Sequence, residues 1–327
     1  MVKAAITGVG GYVPKTILSN QDLEKMVDTT DEWILSRTGI KERRILKESH
    51  QGTSYLAIQA GIDLIEKKKI DPTTLDLVLV ATVTPDYPVA ATAAYVASSL
   101  GAIQAFAFDL SAACSGFLYG LSVAMAYVQS GRYKKVLLIG ADKMSSIVNY
   151  KDRTTCIIFG DGAGAVLIEP SSNEFGWEDE YFKSNGAARE SLLIKAGGSL
   201  NPTTHETLNE GWHNLYQDGK TVFKYAVSEM AEAVQKIIER NHLRSEEINY
   251  LVPHQANKRI IDATAKQAGL TDDKVLMNIE RYGNTTAATI PLLLYDYESQ
   301  FRCGDKLLFA AFGGGFTWGA AYLRWAY

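Results

Sequence analysis

Residues 104–140, QAFAFDLSAACSGFLYGLSVAMAYVQSGRYKKVLLIG, contain the pattern of a strand, a helix and a second strand in direct succession. The run from Gln104 to Asp109 predicts the first strand, and the apolar pattern from Ser115 to about Gln129 predicts the helix. Ser130-Gly131 ends the helix, because glycine readily adopts the conformation that follows a helix C-terminus. The second strand occupies 136–140. Such a unit is typical of a parallel sheet in an α/β protein.

The flanking chain continues this alternation of helices and strands. A helix with Ala60 on its apolar face precedes an apolar strand at 77–81, and a helix from about Val222 to Arg240 precedes a strand at 248–254. The order of elements in the first half recurs loosely in the second half. We therefore predict an α/β fold of two related halves, with the chemistry gathered at the carboxyl ends of the strands.

The boundary between the halves is predicted near residue 173. Residues 1–173 form the N-terminal half and residues 174–327 the C-terminal half, of which 174–219 lacks a clear period and is interpreted as a connector and surface region. Gly313–Gly315 interrupts the apolar stretch 307–323. This interruption favours strand–turn–strand over a membrane span.

The composition narrows the class of protein. The 327 residues are 46% hydrophobic, and the formal net charge of −4 offers no overall attraction for nucleic acid or an anionic membrane. The cysteines are Cys114, Cys156 and Cys303, without a CxxC pair, which argues against a disulfide framework and a thiolate zinc site. We therefore expect a metal-free protein of the reducing cytoplasm. The residues that follow Lys3 predict a first strand rather than a signal peptide.

Cys114 is the candidate nucleophile. It lies among small residues and directly before the helix predicted from Ser115. The N-terminus of a helix presents unpaired N–H groups and positive potential, which predicts a lowered pKa for the Cys114 thiol. Small neighbours also allow a substrate carbonyl to approach the sulfur. A buried structural cysteine is the alternative interpretation.

Three further features could stabilise a developing negative charge. His254 ends an apolar strand, where an imidazole can donate to an oxyanion, and a core histidine is the alternative. Asn284 precedes a predicted helix, so it serves either as an N-cap or as a neutral amide donor. Gly313–Gly315 offers unobstructed backbone N–H groups suited to an oxyanion hole, or simply forms a tight hairpin.

Together these segments resemble the β-ketoacyl-acyl-carrier-protein synthase III family, which are condensing enzymes of the thiolase superfamily. The resemblance extends over nearly the whole chain, and its most specific motifs are Asp31–Ile34 with Arg37–Ile40, Ser111–Phe117, Pro253–Asn257, Gly283–Thr285 and Gly313–Gly319. It implies a thiolase-like, five-layered αβαβα core built from two similar halves, and a homodimer.

The resemblance implies a catalytic triad of Cys114, His254 and Asn284. Cys114 would take an acyl group from acyl-CoA as a thioester. His254 and Asn284 would stabilise the enolate formed when malonyl-acyl-carrier protein loses carbon dioxide, and this carbanion would attack the thioester. The backbone N–H groups of Cys114 and Gly314 would hold the carbonyl oxygen. The implied role is to start fatty acid biosynthesis, without a metal or redox cofactor.

The family's CoA-binding positions are also matched. Trp33 and Arg153 resemble the pair that sandwiches the adenine, since an indole and a guanidinium both stack on aromatic faces. Lys220 stands where many members have Asn, and we expect it to pair with a CoA phosphate instead. The other matching positions are Arg37, Thr38, Phe223, Ala256, Asn257 and Arg259.

Two further interpretations concern the acyl pocket and the carrier protein. Val89 lies where many members have a Phe-Pro pair, in a loop with which the partner subunit bounds the acyl pocket. We therefore expect a wider pocket for longer or branched primers. The acidic carrier protein would dock on local positive charge, or else this charge belongs to a solvated helix face; the candidate residues are Lys224, Lys258, Arg259 and Lys266.

Other functions fit the sequence less well. A degradative thiolase needs a base, usually a second cysteine near the glycine run, and residues 310–313 contain none. A starter-unit condensing enzyme or acyltransferase of polyketide pathways shares the triad and stays open as the alternative. A non-catalytic acyl-CoA-binding scaffold predicts the loss of a triad residue, and no ligand spacing supports a Cys–His metal protein.

Overall fold

The computed structural model describes residues 2–327. Its strands, in chain order, are β1 (Ala4–Tyr12), β2 (Ile17–Ser19), β3 (Glu42–Arg44), β4 (Leu77–Ala81), β5 (Phe106–Leu110), β6 (Val136–Lys143), β7 (Asp161–Pro170), β8 (Trp177–Ser184), β9 (Leu192–Ile194), β10 (Leu215–Gln217), β11 (Tyr250–Pro253), β12 (Lys306–Gly313) and β13 (Thr317–Arg324).

The helices alternate with these strands through most of the chain. In chain order they are α1 (Asn20–Glu24), α2 (Asp31–Thr38), α3 (Thr53–Lys68), α4 (Thr92–Ser99), α5 (Gly116–Gln129), α6 (His205–Asn209), α7 (Gly219–Arg240), α8 (Lys258–Gln267), α9 (Ile279–Tyr282) and α10 (Thr289–Tyr297). Within residues 2–327, no helix is both long enough and apolar enough to cross a membrane.

Two mixed sheets form the centre of the molecule. The first has the strand order β1-β7-β6-β4-β5, in which β4 runs parallel to β5 and β6, whereas β7 is antiparallel to its neighbours. The second has the order β11-β12-β13-β8, in which only β11 and β12 are parallel. Two small sheets, β2–β3 and β9–β10, lie outside them.

Strands of both sheets are buried on both faces, which gives the fold its layers. In β4, Leu77 and Leu79 join the core shared with α5 and α10, whereas Val78 and Val80 join the core under α3 and α4. In β12, alternate residues face the same central core and the core under α7 and α8. Successive strand residues point to opposite faces, so a strand covered on both sides is an apolar run. The predicted five-layered αβαβα arrangement is confirmed.

Part of the segment predicted as a connector belongs to the second sheet. Its residues Trp177–Ser184 form β8, which pairs with β13 as an edge strand of the second sheet. The strand sequence WEDEYFKS is rich in charge, as is common at sheet edges, where charged side chains oppose pairing with another chain. Because of this charge, the segment lacks the apolar pattern that predicts a strand.

Candidate active site

The predicted catalytic residues meet in one cavity of about 410 Å³. Cys114, His254, Asn284 and Gly314 all line it. Cys114 follows the carboxyl end of β5 and His254 that of β11, while Gly314 follows β12. The cavity therefore lies where strands of the two sheets end together, as expected for α/β folds. Much of its remaining wall is apolar.

The turn that carries Cys114 is hydrogen-bonded to the other half of the chain. Ser115 Oγ donates to the carbonyl of Thr317 at 3.0 Å, and Thr317 Oγ1 donates to the carbonyl of Ala112 at 3.0 Å. Ala113 adopts φ +48°, which is uncommon for a residue other than glycine. These constraints present Cys114 in a one-turn 3₁₀ helix immediately before α5.

Burial, rather than the helix end, controls the pKa of Cys114. The residue is only 7% exposed, and desolvation of the charged form raises the pKa of its thiol to about 12. The negative charge of Asp142 acts in the same direction, and a hydrogen bond from Asn284 opposes it. A helix N-terminus contributes on the order of 1 kcal/mol, against several for desolvating an ion. The predicted lowering of the pKa is therefore wrong, and the resting residue is a thiol.

His254 is a neutral imidazole with one free nitrogen. Its backbone N–H donates to the carbonyl of Ala310 at 2.8 Å, and its Nδ1 lies 2.7 Å from Thr289 Oγ1. Burial lowers the pKa of His254 to about 3, because the ring cannot be solvated when charged. Among residues 2–327, Nε2 has no hydrogen-bond partner. His254 therefore offers the cavity an uncharged nitrogen.

Asn284 is held in a defined orientation by its own turn. Its backbone N–H donates to the carbonyl of Ile158, and its carbonyl accepts from the N–H of Gly160. Its side-chain Oδ1 accepts from the backbone N–H of Thr286 at 2.8 Å. The amide nitrogen is thereby left to donate. Asn284 is not the N-cap of α10, which starts at Thr289, but its Oδ1 accepts from the first N–H of the 3₁₀ turn Thr286–Ala288 that leads into this helix. Thr286 has φ +54°, a strained conformation for a β-branched residue.

Asp142, which sequence reasoning missed, connects this turn to the first sheet. Its Oδ1 accepts from the Thr82 hydroxyl at 2.9 Å and the backbone N–H of Val83 at 2.8 Å, and its Oδ2 accepts from the backbone N–H of Ala287 at 3.1 Å. Burial raises the pKa of Asp142 to about 6. A carboxylate directly after the apolar part of β6 was the available signal.

The region predicted as a connector covers part of the cavity. Leu192, Leu193 and Ile194 of β9, together with Leu215 of β10, line it. A Cβ atom on Gly314 would lie 3.5 Å from the side chain of Leu192. This small sheet therefore contributes apolar wall next to the glycine run.

Residues assigned to CoA lie around the mouth. Phe223, Ala256 and Asn257 line the cavity. The Asn257 amide donates to the carbonyl of Arg37 at 2.9 Å, and the Arg259 guanidinium lies 4.8 Å from the Phe223 ring centroid. These contacts connect the start of α8 to the end of α2 and to α7.

Three other residues assigned to CoA binding differ in exposure and in the groups that they contact. The Arg153 guanidinium lies directly over Trp33, 5.2 Å from the ring centroid. Lys220 is exposed in the first turn of α7. Thr38 is buried, and its hydroxyl donates to Ile34 and accepts from the backbone N–H of Ile40. These two bonds stabilise the end of α2.

The residues proposed for the acyl pocket and for docking lie outside the cavity. Val89 is 98% exposed and does not line the cavity of its own chain. Lys258 pairs with Asp262, with 2.7 Å between Nζ and Oδ2. Lys224 and Lys266 are exposed on α7 and α8, respectively.

Comparison with known proteins identifies the family of this chain. The family model for 3-oxoacyl-[acyl-carrier-protein] synthase III matches residues 108–186, and the model for its C-terminal part matches residues 238–325. The chain is 51% identical over 326 residues to a β-ketoacyl-[acyl-carrier-protein] synthase III of Bacteroides thetaiotaomicron, covering 100% of this chain and 97% of that protein. The chain belongs to the β-ketoacyl-acyl-carrier-protein synthase III family. The predicted resemblance is thus confirmed.

Solved structures show the same family and fold. The 3-oxoacyl-[acyl-carrier-protein] synthase III of Aquifex aeolicus is 42% identical with a TM-score of 0.91, covering 98% of this chain and 100% of that one. The priming β-ketosynthase of the R1128 polyketide pathway is 31% identical with a TM-score of 0.90, covering 100% and 98%. Members of the synthase III family are acyl-transferring condensing enzymes, as the sequence predicted.

Proposed function

We propose that this protein condenses an acyl-CoA primer with malonyl-acyl-carrier protein, through a thioester on Cys114, and so starts fatty acid biosynthesis. One observation carries the proposal. The Cys114 thiol, the unpartnered His254 Nε2 and the oriented Asn284 amide belong to one buried cavity. No metal or redox cofactor enters the proposed reaction.

In the first half-reaction the acyl group moves from CoA to Cys114. The Cys114 sulfur bonds to the acyl carbon, the bond from that carbon to the CoA sulfur breaks, and the thiol proton ends on the released CoA. Because burial holds the pKa of Cys114 near 12, the sulfur must lose its proton as the bond forms. The backbone N–H groups of Cys114 and Gly314 would receive the oxyanion.

In the second half-reaction malonyl-acyl-carrier protein loses carbon dioxide. The electron pair of the broken bond stays on the substrate as an enolate, whose oxygen accepts from His254 and Asn284. Neutral donors suit this step, because a cavity that lowers the pKa of His254 to about 3 does not hold an imidazolium. The enolate carbon then bonds to the acyl carbon, and the Cys114 sulfur leaves as a thiolate and takes up one proton from solvent.

Mass spectrometry separates the two half-reactions. With acetyl-CoA alone, the protein should gain one acyl group, and Cys114→Ala should gain none. After malonyl-acyl-carrier protein is added, a β-ketoacyl product should form and the adduct should disappear. Asn284→Ala should keep the adduct but form little product. An unmodified wild-type protein would refute the proposal.

A polyketide starter-unit condensing enzyme is the second candidate. The R1128 priming β-ketosynthase supports it, since that protein shares the fold at 31% identity. Parallel assays with a malonyl-loaded fatty acid carrier protein and a malonyl-loaded polyketide carrier protein distinguish the candidates. Preference for the fatty acid carrier supports the first proposal, and preference for the polyketide carrier supports the second.

We also propose a homodimer joined through β5. This strand is the edge of the first sheet and therefore has one unpaired side. Apolar side chains are exposed on and beside it, including Tyr95, Ile103 and Phe106. An exposed apolar edge strand promotes pairing with a second copy, because its free N–H and C=O groups need partners.

Val89 fits this assembly. Val89 is almost fully exposed, and this exposure is explained if the loop at 85–91 enters the cavity of the partner subunit. There Val89 would leave more space than the Phe that many members of the family have at this place. We expect isobutyryl-CoA and C6–C8 acyl-CoAs to be used better than acetyl-CoA. Equal or better turnover of acetyl-CoA would contradict the wider pocket.

The carrier protein is proposed to dock on α7 and α8. Lys224, Arg259 and Lys266 are exposed there, whereas the charge of Lys258 is compensated by Asp262. Arg259 lies beside the mouth of the cavity through its contact with Phe223. Positive charge at this rim would attract an acidic carrier and orient its arm toward Cys114.

A further inference from the structure

Thr289 lies behind the catalytic histidine, at the first position of α10. Its side chain is buried, with Oγ1 2.7 Å from His254 Nδ1 and 3.1 Å from the carbonyl oxygen of Thr286. A hydroxyl carries one hydrogen, so it can donate to only one of these two acceptors at full strength. The choice between them determines which nitrogen of His254 carries hydrogen.

The lengths of the two contacts are compatible with donation to the histidine. Hydroxyl donors usually form bonds of about 2.7–2.8 Å, whereas N–H donors to oxygen lie at about 2.9–3.0 Å. The 2.7 Å contact with Nδ1 is the usual length for a hydroxyl donor and the short end of the range for an N–H donor, and the 3.1 Å contact with Thr286 is long for a hydroxyl donor. A hydroxyl that donates to Nδ1 makes this nitrogen the acceptor and places the ring hydrogen on Nε2.

We propose that Thr289 is a positioning residue that holds neutral His254 in the tautomer with its hydrogen on Nε2. This inference rests on the proposed function and adds a residue to it. Nε2 has no other partner among the residues described, so its N–H is available to the enolate oxygen. A neutral imidazole has one donor and one acceptor nitrogen, and fixing the acceptor at Nδ1 fixes the donor at Nε2.

The opposite arrangement would oppose condensation. If the Thr289 hydroxyl donated to Thr286, then Nδ1–H would donate to Oγ1 and Nε2 would present a lone pair. A lone pair facing the enolate oxygen repels it, and the charge would lose one of its two side-chain donors. The orientation of one buried hydroxyl thus determines whether His254 assists the second half-reaction.

Nitrogen NMR of protein labelled with ¹⁵N-histidine tests the tautomer without any turnover. The His254 resonances are identified by their absence in His254→Ala. In the wild type we expect a protonated Nε2 and an unprotonated Nδ1 shifted by its hydrogen bond. In Thr289→Val, which keeps the shape but lacks the hydroxyl, the Nδ1 resonance should move toward that of a free nitrogen. Thr289→Ser should restore it.

Kinetics on the same variants measures the consequence. Thr289→Val should acquire the acyl group from acetyl-CoA at the wild-type rate, yet condense with malonyl-acyl-carrier protein about 10- to 100-fold more slowly. Thr289→Ser should recover most of the condensation rate. Loss of both half-reactions in Thr289→Val with recovery of neither in Thr289→Ser would instead indicate a structural role and overturn the inference.

The NMR result also separates this inference from the proposed function. A wild-type His254 protonated on Nδ1, or an Nδ1 resonance unchanged in Thr289→Val, would overturn the inference even if the enzyme is fully active. Absence of an acyl adduct on wild-type Cys114 would refute the proposed function whatever the tautomer.

Discussion

Gly313 lies against the backbone of Cys114 with no space for a side chain. A Cβ atom on Gly313 would come 2.7 Å from the backbone nitrogen of Cys114 and 2.9 Å from that of Ser115. The last residue of β12, in the second sheet, therefore contacts the turn that carries Cys114 and follows β5, in the first sheet. The position of the sulfur depends on a glycine almost two hundred residues away in the chain.

Gly313→Ala should reduce turnover by about 100-fold or more, because a shift of about 1 Å in a reacting group can have this effect. The added methyl must push the Cys114 turn away from the oxyanion-hole backbone. Gly186→Ala is the matched control, since no atom lies within 4 Å of the added Cβ there. Steady-state kinetics of both variants checks the expectation, and comparable activities would contradict the close contact.

Arg153→Ala should raise the KM for acetyl-CoA about two- to fivefold while kcat changes little, because an exposed cation–π contact contributes only modestly. The guanidinium lies 5.2 Å from the Trp33 ring centroid, whereas an adenine between them needs about 7 Å for two stacking contacts. Arg153 must therefore move before the base enters. Acetyl-pantetheine, which lacks adenine, serves as the control substrate and should show no change in KM.

Alkylation of Cys114 by iodoacetamide should be slow at neutral pH and should keep accelerating with pH. The raised pKa of about 12 means that the thiolate fraction grows about tenfold per pH unit up to that value. Peptide mapping after timed exposure between pH 7 and pH 10 measures the rate at Cys114 alone. A plateau near pH 8–9, as for an ordinary cysteine, would show that burial does not control this thiol.

Lys266→Glu should raise the KM for malonyl-acyl-carrier protein about threefold at low salt, with less effect at high salt, because charges at an interface rim mainly change association. The KM for acetyl-CoA should stay the same, since Lys266 does not line the cavity. Arg259→Glu, at the mouth, should raise both values. An unchanged KM for the carrier protein in both variants would place docking elsewhere.

Ile103→Asp should weaken the proposed dimer. Ile103 is 73% exposed beside the edge strand β5, so a carboxylate there is tolerated in a monomer but would be buried in the pair. Leu200→Asp is the matched control, because Leu200 is 75% exposed in the segment between β9 and β10. Analytical ultracentrifugation over a range of concentrations should show dissociation of the first variant only.

Much of the fold was predictable because both central sheets are buried on two faces. Residues 77–81, 136–139 and 307–312 are apolar runs followed by a threonine or a glycine, and each lies in a strand. β8 was not predictable in this way, since an edge strand keeps one side in solvent and carries charge. The helix predicted at Val222–Arg240 is α7, which starts three residues earlier, at Gly219, and ends at the predicted residue.

The sequence by itself determined the layered α/β fold and the family, and it singled out Cys114, His254 and Asn284 as the proposed catalytic residues, because these depend on local patterns and on recognisable motifs. The tertiary structure decided the protonation of the site. Cys114 lies before a helix, yet burial raises its pKa; His254 is neutral for the same reason, and Thr289 and Asp142 hold the site from behind. Desolvation and hydrogen bonding depend on residues that are distant in the chain and adjacent only after folding.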